Sequence, residues 1–216
     1  MGVIPKDRSA MESQPTEMGK IHPASSSDLP NDSDRPLTVA LVCTERLWHG
    51  GEEQGALLSR GLRQRGHRVA ILARADGSFS RRMADEGFEV FRFSGNWRNP
   101  AAFWQIRTTL RRLRPDVLHY NDPHAVTAAG LAVVGLGIGA RVAARHLCFP
   151  IRWPFRYRAF CDRLVCVSHA AAQACRESGI PPRMIRVVYG GIDIGPRQQG
   201  DLARGRAALG LQEACH

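Results

Sequence analysis

Lysine is almost missing from the chain, because Lys6 and Lys20 are the only two among 30 basic residues. Arginine supplies the rest of a formal net charge of +10. Such a uniform replacement reflects genome composition as much as function. The positive field still attracts anions such as phosphates or acidic lipid surfaces. No stacking or groove-reading motif accompanies the arginines, so we expect no nucleic-acid partner.

Long apolar segments are also missing. The longest, from Val126 to Ala140, is too short and glycine-rich to span a hydrocarbon core of about 30 Å. The N-terminus has no apolar run of the kind that a signal peptide requires. We therefore expect a cytoplasmic protein without a signal peptide or transmembrane helix.

The six cysteines show no CxxC pair and no dense spacing, which is typical of reduced cytosolic thiols. Cys161 and Cys166 with His169 lack a four-ligand zinc spacing, so no metal site is predicted. The glycines of GLGIGA (135–140) follow a predicted helix and precede a strand, which is the reverse of a dinucleotide fingerprint. We expect no cofactor.

The chain of 216 residues is long enough for one well-cored domain. Residues 1–36 are rich in Ser, Pro, Asp and Asn without a hydrophobic period, which predicts a disordered leader. A domain is predicted over 37–193. Residues 194–216 contain one predicted short helix and are expected to form a linker.

Within the domain, short apolar runs alternate with helical patterns. Strands are predicted at 37–43, 68–73, 88–93, 116–120, 141–145, 163–167 and 184–188. Helices are predicted at 51–65, 79–86, from Asn99-Pro100 onward, 124–136, 152–160 and 169–178. This alternation predicts an α/β fold with a single Rossmann-like, doubly wound parallel sheet.

Ligands of such sheets bind at the carboxyl ends of the strands, where the connecting loops meet. The loops of interest are WHGGEE (48–53), NDPHA (121–125) and HLCFP (146–150), which follow the first, fourth and fifth predicted strands. The chemistry of the protein is therefore expected in these three loops.

The same loops carry a family resemblance. GGEE leads into LLSRGLRQRGHRV (57–69), and RPDVLHYNDPHA (114–125), DRLVCVSHAAAQACRESGIPPRMIRVV (162–188) and YGGID (189–193) follow in order. From Leu37 to Asp193 the chain resembles the N-terminal, acceptor-side domain of retaining family 4 glycosyltransferases, which have the two-domain GT-B architecture. Gly190 stands where an asparagine is more usual before GID.

The resemblance assigns roles to two of the loops. It implies that Gly50 and Gly51 lie against the donor phosphates and the acceptor, which agrees with the affinity of a glycine-containing helix N-terminus for anions. Glu52 is a further candidate there, although the acidic residues of this turn could simply complement the helix dipole. The resemblance also implies that His146 hydrogen-bonds the transferred sugar or the acceptor, which makes it the candidate catalytic residue; the alternative is a bystander on the surface.

The loop after the fourth strand offers His119, Asn121, Asp122 and His124 as residues that line the acceptor cleft. Asn121 stands where related sequences frequently have a histidine. Asp122 and Pro123 equally fit a helix N-cap followed by a first-turn proline, and we favour this capping role for Asp122.

The resemblance stops at YGGID, so the second GT-B domain, which binds the nucleotide sugar, is expected to be absent from these residues. We therefore expect an acceptor-side half that moves a sugar from a nucleotide-sugar donor to a glycan or lipid-linked acceptor and is inactive alone. A separately encoded C-terminal domain is the expected partner. The alternative is a stand-alone module that binds a glycan or an anionic ligand without catalysis.

The helix that begins at Asn99 suggests peripheral contact with the inner face of a membrane. Its predicted inward stripe consists of Phe103, Ile106, Leu110 and Leu113. Arg107, Arg111 and Arg114 form an adjacent basic flank beside Trp104. Such a flank suits loose docking on anionic lipid, and an ordinary solvated helix face fits the pattern equally well.

Overall fold

The structure is a computed structural model that describes residues 35–192 and 205–208. The predicted leader, except for its last two residues, lies outside the described residues. So does the predicted linker over 194–216, except for a helical turn at 205–208.

Strands and helices alternate along the described domain, as the sequence predicts. The strands are β1 Thr38–Cys43, β2 Arg68–Arg74, β3 Glu89–Phe93, β4 Val117–Tyr120, β5 Ala140–Arg145, β6 Arg163–Cys166 and β7 Ile185–Val187. The helices are α1 Gly50–Gln64, α2 Ser78–Asp85, α3 Pro100–Leu113, α4 Pro123–Ala132, α5 Pro154–Phe160 and α6 His169–Glu177, and a 3-10 turn spans Pro182–Met184.

All neighbouring strands pair in parallel, in the order β3-β2-β1-β4-β5-β6-β7. The single, doubly wound parallel sheet predicted from the sequence is confirmed. The strand order reverses between β1 and β4, and a ligand crevice opens at such a reversal, outside the carboxyl ends of the strands.

Helices cover both faces of β1, which is why this strand is apolar along nearly its whole length. Leu41 and Cys43 pack with Phe79 of α2 on one face. Val42 packs with Ile106 of α3 in the larger core on the other face. A strand that is buried on both faces cannot alternate apolar and polar residues.

The structure corrects the predicted end of α4. The sequence pattern predicted a helix to residue 136, but α4 ends at Ala132. Gly135 follows with a φ of 77°, in the left-handed region that a helix cannot include. Within α4, a Cβ at Gly130 would lie 2.6 Å from Cγ of Phe160, so this glycine permits the close packing of α4 on α5. The other predicted boundaries lie within two residues of the observed ones.

The inward stripe of α3 is confirmed, because Ile106 and Leu110 are buried while Phe103 and Leu113 pack partly buried against the same core. The basic flank is only partly correct.

Arg107 does not extend into solvent as the predicted flank requires. Its Nη1 donates to the carbonyl oxygens of Ala132 at 2.7 Å and of Val134 at 2.9 Å. A cation at the C-terminus of α4 is favoured by the helix dipole, which accounts for the inward position. Arg111, Arg114 and Trp104 remain exposed. No helix within residues 35–192 or 205–208 has both the length and the apolarity that a bilayer crossing demands.

Candidate functional site

The loops that follow β1, β4 and β5 meet at the carboxyl edge of the sheet around a cavity of ≈ 410 Å³. The predicted site residues that line it are Gly51, Glu52, Asn121, Asp122 and His146. Loops that are up to about 100 positions apart in the sequence therefore form one concave surface, as the parallel sheet requires.

His146 lies directly against the first turn of α1. A Cβ placed on Gly51 would be 3.3 Å from Cδ2 and 3.7 Å from Nε2 of the imidazole. A side chain at residue 51 would crowd the imidazole, which would have to move by a few tenths of an ångström. A Cβ on the preceding Gly50, by contrast, would meet nothing within 4 Å.

Asn121 is held by the same helix. Its Nδ2 donates to the carbonyl oxygen of Gly51 at 3.1 Å, and its Oδ1 lies 2.6 Å from the position of a Cβ on Gly55. The amide is 1% exposed. The glycines of α1 therefore admit two polar side chains from the opposite loops.

A second cavity of ≈ 240 Å³ continues from the first along the α1 side of the sheet, and the two share Asn121 and His146. We call this second cavity the inner cavity and the first one the outer cavity. His119 lines the inner cavity only. Three buried atoms here have no hydrogen-bond partner within the described part of the chain: Nε2 of His119, Oδ1 of Asn121 and Nε2 of His146. Buried polar atoms are nearly always bonded, so these three atoms around one cavity are available to the hydrogen-bonding groups of a ligand.

Both imidazoles are neutral at neutral pH. Burial, together with repulsion from His146 when that imidazole is protonated, lowers the pKa of His119 to about 4. Burial also lowers the pKa of His146, and the nearby Arg145 adds to this effect, while the backbone of Asn121 and the charge of Asp122 oppose it. A neutral imidazole has one N–H donor and one nitrogen acceptor, which is the complement that a hydroxyl group needs.

Asp122 caps α4, which confirms the capping role favoured from the sequence. Its carboxylate accepts from the backbone N–H groups of His124 at 2.9 Å and Ala125 at 2.8 Å. It also accepts from the backbone N–H and the hydroxyl of Thr44, both at 2.6 Å. Four donors satisfy this carboxylate, so Asp122 joins the β1 loop to α4 and has little capacity left for a ligand.

Glu52 also has a structural task. Its Oε2 accepts from the backbone N–H of His49 at 2.9 Å, which is the acidic half of a capping box at the start of α1. The side chain is 2% exposed, and burial raises its pKa. Glu52 therefore stabilises the first turn of α1 while it lines the cavity.

Two predicted residues lie outside both cavities. Gly50 is exposed at the start of α1. His124 is exposed and stacks on Trp97, with ring centroids 4.9 Å apart. The structure therefore brings together Gly51, Asn121 and His146, with His119 behind them, and leaves Gly50 and His124 at the rim.

Arg145 lines the outer cavity but carries no motif in the sequence. It is 6% exposed, its Nη2 donates to the carbonyl oxygen of Phe149, and its Nε has no hydrogen-bond partner among the residues described. It makes no ion pair within 35–192. A guanidinium stays protonated in a protein, so this cation is available to an anionic ligand.

Gln54 of α1 is a second residue that no motif marks. Its side-chain amide donates to the carbonyl oxygen of Gly191 at 2.7 Å and accepts from the N–H of the same residue at 3.1 Å. A Cβ on Gly190 would lie 3.0 Å from Oε1 of Gln54, so a glycine suits the position. Residues 189–191 are thereby fixed beside the inner cavity.

A metal centre is not evident in the part of the chain that the structure describes, where no three His, Cys, Asp or Glu side chains form a group that could hold an ion. The Sγ atoms of Cys166 and Cys175 lie 3.8 Å apart as free thiols.

Comparison with solved structures places the fold among glycosyltransferases. HepE from Anabaena in complex with UDP-glucose superposes with a TM-score of 0.66 at 17% identity, covering 81% of this chain and 50% of that one. A glycosyltransferase from Rickettsia africae gives 0.64 at 16% identity over 83% and 51%. MurG from Acinetobacter baumannii gives 0.55 at 18% identity over 77% and 47%. At these identities the likeness shows the fold alone, and the chain spans about half the length of these proteins.

No curated protein matches the chain significantly. The profile of Glycosyltransferase Family 4 matches residues 48–195, which include the loops around both cavities and most of the sheet. The chain therefore belongs to glycosyltransferase family 4.

Proposed function

We propose that this domain is the acceptor-side half of a glycosyltransferase that moves a sugar from a nucleotide-sugar donor to a hydroxyl of a glycan or a lipid-linked acceptor. The observation that carries the proposal is the group of buried atoms on His119, Asn121 and His146 that have no hydrogen-bond partner within residues 35–192 and 205–208. They converge on cavities at the carboxyl edge of the sheet, in a chain whose family transfers sugars.

The charge state of this group favours a neutral, hydroxyl-rich ligand. Two uncharged imidazoles and one amide oxygen provide donors and acceptors without a net charge. A buried site that is built to bond hydroxyl groups discriminates strongly against ligands that lack them, because its own polar atoms would stay unpaired. A sugar ring meets this requirement.

The outer cavity has features that suit a diphosphate. The N-terminus of α1 at Gly50 and Gly51 has the positive end of the helix dipole, and Arg145 adds a full positive charge nearby. HepE was crystallised with UDP-glucose, a ligand that combines a diphosphate and a sugar. We propose the same class of donor here, with the diphosphate toward α1 and the sugar toward His146.

We further propose that these 216 residues transfer no sugar by themselves. In the transition state, positive charge develops on the sugar and negative charge on the departing diphosphate. Preorganised groups must hold both against the acceptor hydroxyl. The cavities described here provide one side of such a site, and a donor-binding domain is the partner that would complete it.

The test is a transfer assay on the purified chain with a panel of nucleotide sugars and of sugar or lipid acceptors. We expect no turnover from the chain alone. Activity should appear on addition of the product of the adjoining coding sequence, and His146→Ala should abolish it.

Robust transfer by the isolated chain would contradict the proposed need for a partner. Glycan binding that is never accompanied by transfer in any mixture would instead support the alternative of a binding module. Gly137→Ala is the matched control, since Gly137 is exposed, lines neither cavity, and a Cβ there would meet nothing within 4 Å.

A further inference from the structure

The segment that joins β5 to α5, together with the first turns of α5, exposes an unusual set of apolar side chains. We call residues 147–158 the aromatic loop. Leu147, Phe149, Trp153 and Phe155 are between 48% and 67% exposed. Single exposed apolar residues are ordinary, whereas four within nine positions indicate a surface that another body covers.

The aromatic loop lies in a long segment of the chain that carries arginines and no acidic residue. No acidic residue occurs between Asp122 and Asp162. Arg152 and Arg158 are exposed, and the guanidinium of Arg152 lies 5.5 Å from the ring centroid of Trp153. The loop therefore presents aromatic rings and cations together, without a carboxylate between them.

This combination points to one kind of partner. Aromatic rings settle at the boundary between lipid headgroups and acyl chains, and arginines are attracted to anionic headgroups. A protein interface would gain from the apolar groups but would also need acidic partners for the arginines. We infer that the aromatic loop is the surface by which this domain docks on an anionic lipid bilayer.

The aromatic loop begins at the edge of the candidate site. His146 and Leu147, at the start of the loop, line the outer cavity. Docking through the loop would therefore hold the mouth of the cavity at the membrane surface, where the headgroup of a lipid-linked acceptor lies. The idea that docking brings the cavity to a lipid-linked acceptor rests on the proposed function. Bilayer binding by itself does not depend on that function.

The structure favours this loop over the face of α3 that the sequence indicated. On α3, Arg107 is bound to the carbonyl groups at the end of α4, and Trp104 is the one exposed aromatic residue of that helix. The aromatic loop has three exposed aromatic rings beside the exposed Arg152 and Arg158. Exposed arginines also occur on α3, so the aromatic rings distinguish the two surfaces.

Vesicle flotation of the full chain tests the inference directly. The vesicles consist of phosphatidylcholine alone or of an equimolar mixture with phosphatidylglycerol, and they contain neither acceptor nor nucleotide sugar. We expect binding to the mixed vesicles only, with a loss at high salt. Because one arginine near an anionic surface contributes about fivefold in affinity, R152Q/R158Q should weaken binding by about 25-fold.

The matched control is R111Q/R112Q on α3, which removes the same charge from two exposed arginines and should leave binding nearly unchanged. Equal weakening by both variants would show a merely diffuse charge effect and overturn the inference. Binding to neither vesicle, or equally to both, would overturn it as well.

A second measurement does not depend on removing charge. Brominated phosphatidylcholine in the mixed vesicles quenches tryptophans that enter the bilayer. Quenching should disappear in Trp153→Phe and persist in Trp104→Phe; the reverse result would assign docking to α3. Failure in these experiments leaves sugar binding at His146 untouched, and a failure of transfer leaves bilayer binding untouched, so the two proposals are tested separately.

Discussion

The two edges of the sheet differ in how their polar groups are satisfied. At the amino edge, Asp116 accepts from the backbone N–H of Thr38 at 2.8 Å, and Asp162 accepts from the N–H and the guanidinium of Arg141, each at 2.8 Å. At the carboxyl edge, polar atoms of His119, Asn121 and His146 are buried and have no hydrogen-bond partner in the described part of the chain. The hydrogen bonds at the amino edge therefore fix the starts of the strands. The polar atoms at the carboxyl edge remain able to hydrogen-bond a ligand.

Asp122 sharpens this comparison, because it lies at the carboxyl edge but is bonded like the aspartates of the amino edge. Asp122→Ala removes the cap of α4 and leaves the N–H and hydroxyl of Thr44 buried without an acceptor. We expect a loss of about 3 kcal/mol in the free energy of unfolding, measured by urea denaturation.

Asn99→Ala is the control for this prediction, since Asn99 caps α3 by one bond to Ala101. It should cost only about 1 kcal/mol. Similar losses in both variants would mean that the bonds from Thr44 add nothing.

His119 represents the unsatisfied groups of the carboxyl edge, because it is buried and its Nε2 has no hydrogen-bond partner among the described residues. Its pKa of about 4 in the folded chain lies below the ordinary value of 6.5, so the unfolded chain binds more protons between these values. The neutral imidazole makes its full contribution to the free energy of unfolding above pH 6.5, and this contribution is lost as the pH falls toward 4. The full contribution is about 3 kcal/mol.

Urea denaturation between pH 7 and pH 4 measures this effect. His119→Asn should flatten the pH dependence of the free energy of unfolding, whereas His169→Asn, at an exposed position, should leave it unchanged. Parallel curves for the parent chain and His119→Asn would contradict the proposed burial of a neutral imidazole.

The sequence predicted most of the fold because its information is local. Alternating apolar runs and helical patterns gave the strands, and Asp122-Pro123 gave the start of α4. The end of α4 was wrong because the apolar residues around Gly135 continue the helical pattern while the backbone turns. Element order therefore follows from composition, but the end of an apolar helix depends on the backbone angles of a single glycine.

The site was predictable only in part, because its key contacts join distant positions. The bond from Asn121 to Gly51 spans 70 residues, and the bonds from Gln54 to Gly191 span 137. No local pattern shows that Gly51 leaves room for an imidazole or that Arg145 is buried. Family resemblance pointed to Gly51 and His146, but only the packing of α1 against the β5 loop shows why a glycine suits the position opposite the histidine.

The most direct test of the account observes the histidines themselves. The imidazole signals of a ¹³C-histidine-labelled chain would be followed by NMR while nucleotide sugars and acceptor glycans are added. We predict saturable shifts of the His119 and His146 signals with at least one ligand. The shifts should be unchanged in Gly137→Ala, where a Cβ meets nothing, and weakened in Gly51→Ala, whose Cβ would crowd the imidazole of His146. Equal responses in the two glycine variants, or no shift of either histidine with any ligand, would contradict the account.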